Sequence, residues 1–223
     1  MRHSLLPLLL VAVACVDDGE GAGIQVHVEI DSQTMPQSVA TNVVLDPSYV
    51  TVVGFALEPC ESVAATLWRA INPLPSAFAH GASSPTSLAV PVVVAIAGAR
   101  AGIDVGTLEP PPDRYCAMNL SIGPADDDAV RLPDQDMVGR SLRVSGEHQD
   151  TSFAVSSAAN GHARLTFVSP LELTDADASA TVTLSLDTSA TFDAVDFDSV
   201  TAAADIIDGL AAGFRVSAQV LVQ

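Results

Sequence analysis

From residue 24 the chain alternates. Ile24 to Ile30 sets Val26, Val28 and Ile30 on one side and Gln25, His27 and Glu29 on the other, the period of a half-buried strand. The period returns in Arg114 to Ile122, where Cys116, Met118, Leu120 and Ile122 share a face opposite Ala117, Asn119 and Ser121. It is cleanest in Ser179 to Leu186 (Ala180, Val182, Leu184 and Leu186 inward) and in Phe214 to Val222. Shorter β-rich runs are Val43 to Leu45, Tyr49 to Leu57, Leu88 to Ala95, Thr151 to Ser156, His162 to Val168, and the segment around Leu142 and Val144. Gly54 interrupts the phase of its run and predicts a bulge; Pro91 predicts an edge or a bend. Val63 to Ile71, with the single tryptophan Trp68, fits a short helix or a strand, and Asn72 to Thr86 reads as a long loop. One stretch has the helical period: Val200, Ala203, Ile207 and Leu210, with Ser199 as N-cap, Asp198 complementing the dipole and Gly213 as the stop.

Roughly ten short strands and one C-terminal helix predict a mainly β fold, an antiparallel β-sandwich of immunoglobulin-like style over residues 24–223. Residues 24–130 and 131–223 are candidate sub-lobes.

The first fifteen residues belong to no strand. Arg2 precedes an apolar run from Leu5 to Ala14, shorter than the roughly 20 residues that span a bilayer, and the pattern is that of an export signal. Ala12-Val13-Ala14-Cys15 resembles a bacterial lipobox, with Ala12 where leucine is usual. That resemblance implies a signal peptide over residues 1–14 and a mature N-terminus at Cys15 carrying acyl chains such as palmitate. Residues 15–23, small and acidic, then form a flexible tether. Val16 lacks the Asp that retains enteric lipoproteins at the inner membrane, so the expected address is the cell envelope, at the periplasmic or surface face of the outer membrane.

Charge narrows the partners. Nine basic residues, all arginine, stand against 27 acidic ones, a net charge of -18. Such a surface repels phosphate backbones, which excludes nucleic acid. Hydrophobic residues make up 48% and aromatics 4%, so the core must come from Val, Leu, Ile and Ala. With Cys15 assigned to lipidation, Cys60 and Cys116 remain. In an exported chain an even pair most simply forms a disulfide, closing a loop of about 55 residues worth about 4 kcal/mol. Two free thiols on a soft metal are the alternative.

Chemistry-bearing motifs are sparse. The chain has no Gly-x-Ser-x-Gly elbow, no His-Glu-x-x-His, no Cys-x-x-Cys and no phosphate loop, so the expectation is no enzyme. Of the histidines, His27 lies on the polar face of its strand, His148 stands beside Glu147 and Asp150, and His162 follows an Asn-Gly turn. His80, in a Pro-, Gly- and Ser-rich loop, is the candidate ligand for copper or zinc, with Met35, Met118 or Met137 as soft partners. Asp196 and Asp198 alternate before the helix, in the way that calcium turns place carboxylates, but without the glycine and terminal Glu of an EF-hand. Solvated turns and helix caps explain the same residues.

Leu57-Glu-Pro-Cys60, Ala79-His80-Gly81 with Ser84-Pro-Thr86, Pro111-Pro-Asp-Arg-Tyr-Cys116, Pro124-Ala-Asp-Asp-Asp128 and Met137-Val-Gly-Arg140 together resemble a group of uncharacterised exported lipoproteins of myxobacteria and relatives. The resemblance covers residues 50–145 and implies the lipid anchor and the Cys60–Cys116 pair; it brings no catalytic residues. Members of that group often carry a second His two positions before the counterpart of His80, where this chain has Phe78. The expected function is a membrane-anchored, non-enzymatic binding or envelope-structural module with a protein or small-ligand partner. The alternatives are a copper-, zinc- or calcium-binding lipoprotein and a hydrolase of unrecognised site.

Overall fold

The computed structural model describes residues 25–31, 38–40, 42–60, 84–97, 102–174, 179–188, 191–192 and 195–221. The described strands are β1 (Gln25–Asp31), β2 (Ser38–Ala40), β3 (Val43–Leu45), β4 (Ser48–Pro59), β5 (Ser87–Leu88), β6 (Val92–Ala97) and β7 (Ile103–Leu108). They continue with β8 (Arg114–Ile122), β9 (Leu142–His148), β10 (Thr151–Ser157), β11 (Gly161–Glu172) and β12 (Ser179–Leu186). Among the described residues one α-helix, α1 (Ala202–Gly213), leads into β13 (Phe214–Leu221), and Gln135–Met137 forms a 3-10 turn. The described residues make a mainly β, sandwich-like fold with this single α-helix near the C-terminus.

The smaller sheet has the order β13-β12-β1-β7. Its pairings are antiparallel except β1 with β12, which run parallel in register from Gln25 opposite Ser179 to Asp31 opposite Ser185. In the larger sheet β4 is central. Val50 faces Val94 of β6 on one side and Leu142 of β9 on the other, and Phe55 lies between Leu88 of β5 and Leu120 of β8. β11 and β10 then lie outside β8 and β9. Each sheet mixes strands from both sides of residue 130, so that boundary runs through the sheets rather than between them.

One apolar core joins both sheets and the helix. Val26, Val28, Ile30, Ala180, Val182 and Leu184 of the smaller sheet meet Val50, Val52, Phe55, Leu120 and Leu142 of the larger, together with Ile206, Ile207 and Leu210 of α1. A second cluster, Tyr49, Val93, Ala95, Ala125, Ala129 and Met137, covers the other face of β4 and β6. This explains why Val92 to Ala97 is apolar without alternation: every residue is buried. Pro91 sits just before that strand, where its missing N–H costs no ladder bond.

Two local expectations change. The helix begins at Ala202, and Val200 is fully exposed. Asp196 is the reason: its Oδ1 accepts from the Asp198 N–H at 3.1 Å and its carbonyl from the Ser199 N–H at 3.0 Å, forming a turn where the helix was expected to start. Ser199 Oγ accordingly accepts from Thr201 N–H at 3.2 Å and does not cap the helix. The apolar stripe recentres on Ala202, Ile206 and Leu210. The second change is the presence of β2 and β7, two strands the alternation did not reveal.

Candidate functional site

Gly54 does what its interruption of phase implied. The register between β4 and β8 shifts between Val52 and Gly54, so the core positions step from Val50 and Val52 to Phe55 and Leu57. Without that shift Glu58 would follow Val50 and Val52 into the core. With it, Glu58 reaches the opposite face, where the neighbouring strands present Asn119 and Arg164 in register with each other. Arg164 grips the carboxylate with Nε on Oε2 at 3.0 Å and Nη2 on Oε1 at 3.3 Å, and Asn119 Nδ2 donates to Oε2 at 3.1 Å. Glu58 is 9% exposed, so this fork offsets the cost of burying its charge. Arg164 Nη1 also donates to Thr166 Oγ1 at 3.3 Å.

Two residues along each strand, on the same face, Ser121 Oγ lies 3.3 Å from His162 Nδ1. A serine beside a histidine invites a nucleophile reading. Ser121 is 6% exposed, however, and no carboxylate of the described residues bonds His162 to fix its tautomer. The pair is a cross-strand hydrogen bond.

Of these residues His162, Arg164 and Thr166 line a cleft of about 520 Å³, formed by β11, the C-terminal half of α1 and the start of β13. That volume lies within the roughly 300–1,000 Å³ usual for ligand sites. β11 contributes His162, Arg164 and Thr166, α1 contributes Asp208, and β13 contributes Arg215. Arg215 is held by the helix end: its Nη1 donates to the carbonyl oxygens of Ala212 and Phe214, where a cation complements the helix dipole. Val168, at the lip, is completely exposed. Arg164 and Arg215 are two of the chain's nine basic residues; Arg164 is paired with Glu58, and Asp208 also lines the cleft.

The sites expected from sequence are distributed otherwise. Cys60 and Cys116 are bonded, with Cα atoms 4.7 Å apart, and tie the end of β4 to β8. Asp196 and Asp198 are exposed and shape the turn before α1; no group of three or more His, Cys, Asp or Glu among the described residues could hold a metal ion. His148 lies against Phe197, ring centroids 5.3 Å apart, and His27 Nδ1 lies 3.0 Å from Thr107 Oγ1. Met118 and Met137 are buried in the core. Cys15, Met35, Trp68, Phe78 and His80 lie outside the described residues. Arg164 and Arg215 were not singled out in the sequence, because 51 positions separate them and neither stands in a motif. No protein-family model, curated protein or solved structure matches the chain.

Proposed function

We propose that the chain is an exported, lipid-tethered, non-enzymatic binding module that takes its ligand in the cleft between β11, β13 and α1. The observation that carries this reading is the cleft itself, ligand-sized and lined by Arg164, Arg215 and His162 in a strongly acidic chain. Binding is favoured over catalysis because the polar groups there already have structural partners. Arg164 holds Glu58, Arg215 holds the helix end and His162 meets Ser121. The lipobox-like Ala12-Val13-Ala14-Cys15 supports tethering, and the Cys60–Cys116 bond suits an oxidising compartment.

Site-specific photo-crosslinking in the producing cell tests the binding reading. A crosslinker at Thr166, inside the cleft, should yield a discrete adduct, and one at fully exposed Val200 should not. Equal labelling at both positions, or none at Thr166, would count against the cleft. The tether is tested separately: Cys15→Ala should move the protein from the membrane to the soluble fraction, and unchanged fractionation sinks the anchor.

A further inference from the structure

Leu45 of β3 lies opposite Gly146 of β9, and Tyr49 of β4 opposite Arg143 of the same strand. Between these pairs one side carries three residues, Asp46, Pro47 and Ser48, and β9 only two, Val144 and Ser145. β3 and β4 are therefore one path along β9 with a bulge at Asp46–Pro47, the single Asp–Pro bond of the chain. Proline suits a bulge because it has no N–H to leave unpaired.

The hydrogen bonds around the bulge act on that bond. The Asp46 N–H donates to the Ser145 carbonyl at 2.9 Å, which fixes the residue. Ser48 is fully buried, and its Oγ accepts from the Ser145 N–H at 3.2 Å, replacing the backbone acceptor that the bulge displaces. The same Oγ lies 2.8 Å from the Asp46 carbonyl oxygen and 3.4 Å from that of Ser145, so its proton is directed at the carbonyl of the Asp–Pro bond. Asp46 itself is exposed, and among the described residues no hydrogen bond or ion pair engages its carboxyl group.

Three chemical conditions meet here. An aspartyl side chain reaches its own carbonyl carbon through a five-membered ring, so nucleophile and electrophile are already joined. A donor fixed on the carbonyl oxygen stabilises the oxyanion of a tetrahedral intermediate. The leaving atom is a proline nitrogen, which departs as a secondary amine.

We propose that the protein cleaves itself between Asp46 and Pro47, with Asp46 as nucleophile and Ser48 as oxyanion donor. The Asp46 carboxyl oxygen bonds to the Asp46 carbonyl carbon, the carboxyl proton passes to the Pro47 nitrogen, and the C–N bond breaks. One water then opens the cyclic anhydride, leaving a free Asp46 C-terminus and a Pro47 N-terminus. The acid form of the carboxyl supplies the leaving proton, so the reaction accelerates as pH falls. The cut leaves β1 clasped between β12 and β7, and the Cys60–Cys116 bond lies wholly in the longer piece. The two pieces thus stay together until the fold opens, and no disulfide joins them.

The test is incubation of the purified, disulfide-intact full chain at neutral pH and at the lowest pH at which circular dichroism shows it folded, beside the same chain in urea. Denaturing gels and N-terminal sequencing read the products. The folded chain should yield one new N-terminus, Pro47, at least about tenfold faster than the unfolded chain at the same pH. Asp46→Ala, at an exposed position, should abolish the cut, and Ser48→Ala should slow it about tenfold. A Ser48 that only repairs the bulge would leave the rate of that variant unchanged. Equal rates for folded and unfolded chain, a new N-terminus elsewhere, cleavage persisting in Asp46→Ala, or an unchanged rate in Ser48→Ala would each overturn the proposal. Should Ser48→Ala fail to fold, the urea comparison and Asp46→Ala still decide it.

Discussion

Tyr115 is fully buried, and its hydroxyl donates to the Pro111 carbonyl at 3.0 Å. Burial, with the Asp113 carboxylate adding to it, pushes the phenol from 10.0 up to about 12. The unfolded chain therefore gives up this proton near pH 10, and the folded chain holds it to about pH 12. Between those values the folded state binds more protons, so this group's stabilisation is complete below pH 10 and is lost as pH rises toward 12. Tyr115→Phe should cost about 1 kcal/mol at neutral pH through the lost hydrogen bond. In urea titrations the variant's midpoint should then stay flat from about pH 10 to 12, where the wild-type midpoint falls. Parallel declines would assign the alkaline transition to another group. Glu58 makes the same point for a charge: a carboxylate at 9% exposure persists because Arg164 and Asn119 meet both of its oxygens.

Among the elements, α1 against β11 is the join that builds the cleft. Gly161 opens β11 at the closest approach of the helix, where an added Cβ would stand 2.6 Å from Ile207 Cγ2. Gly161→Ala should therefore destabilise the protein by about 1–3 kcal/mol by overpacking. In an Ile207→Ala background, which removes the obstructing methyl, the same substitution should cost less than about 0.5 kcal/mol. Chemical denaturation of the four proteins of this cycle checks the coupling, and additive costs would mean that the two elements are not in contact at this point. Element scale also explains why β7 was not legible. Ile103 and Val105 alternate, but Gly106, at φ 138°, slips the phase to Leu108, and the ladder with β1 shifts register at the same place. A strand of six residues with a break in its middle leaves too few turns of the period to be seen.

For the whole molecule, the Cys60–Cys116 bond closes a 56-residue separation that contains β5, β6 and β7. The bond itself ties β4 to β8 within the larger sheet, and the loop it closes includes β7 of the smaller one. Replacing both cysteines by serine should remove about 4 kcal/mol, read from the urea midpoint at constant slope. A loss under about 1 kcal/mol would show that the reduced chain is already constrained. The same scale holds the strongest departure from local reading: β1 and β12 lie side by side and parallel, with most of the chain between them.

Period-two alternation, the bulge at Gly54, a helix before β13 and the pairing of two cysteines were determined by the sequence alone, because each follows from neighbours a few positions apart or from simple counting. The fold class followed from them. The tertiary structure alone decided which strands pair, that one core serves both sheets, and that the helix start yields to the Asp196 turn. It also decided the cleft. Arg164 and Arg215 come together only because β11 and β13 are both edge strands with α1 between them, and strand order is a long-range property that no local period encodes.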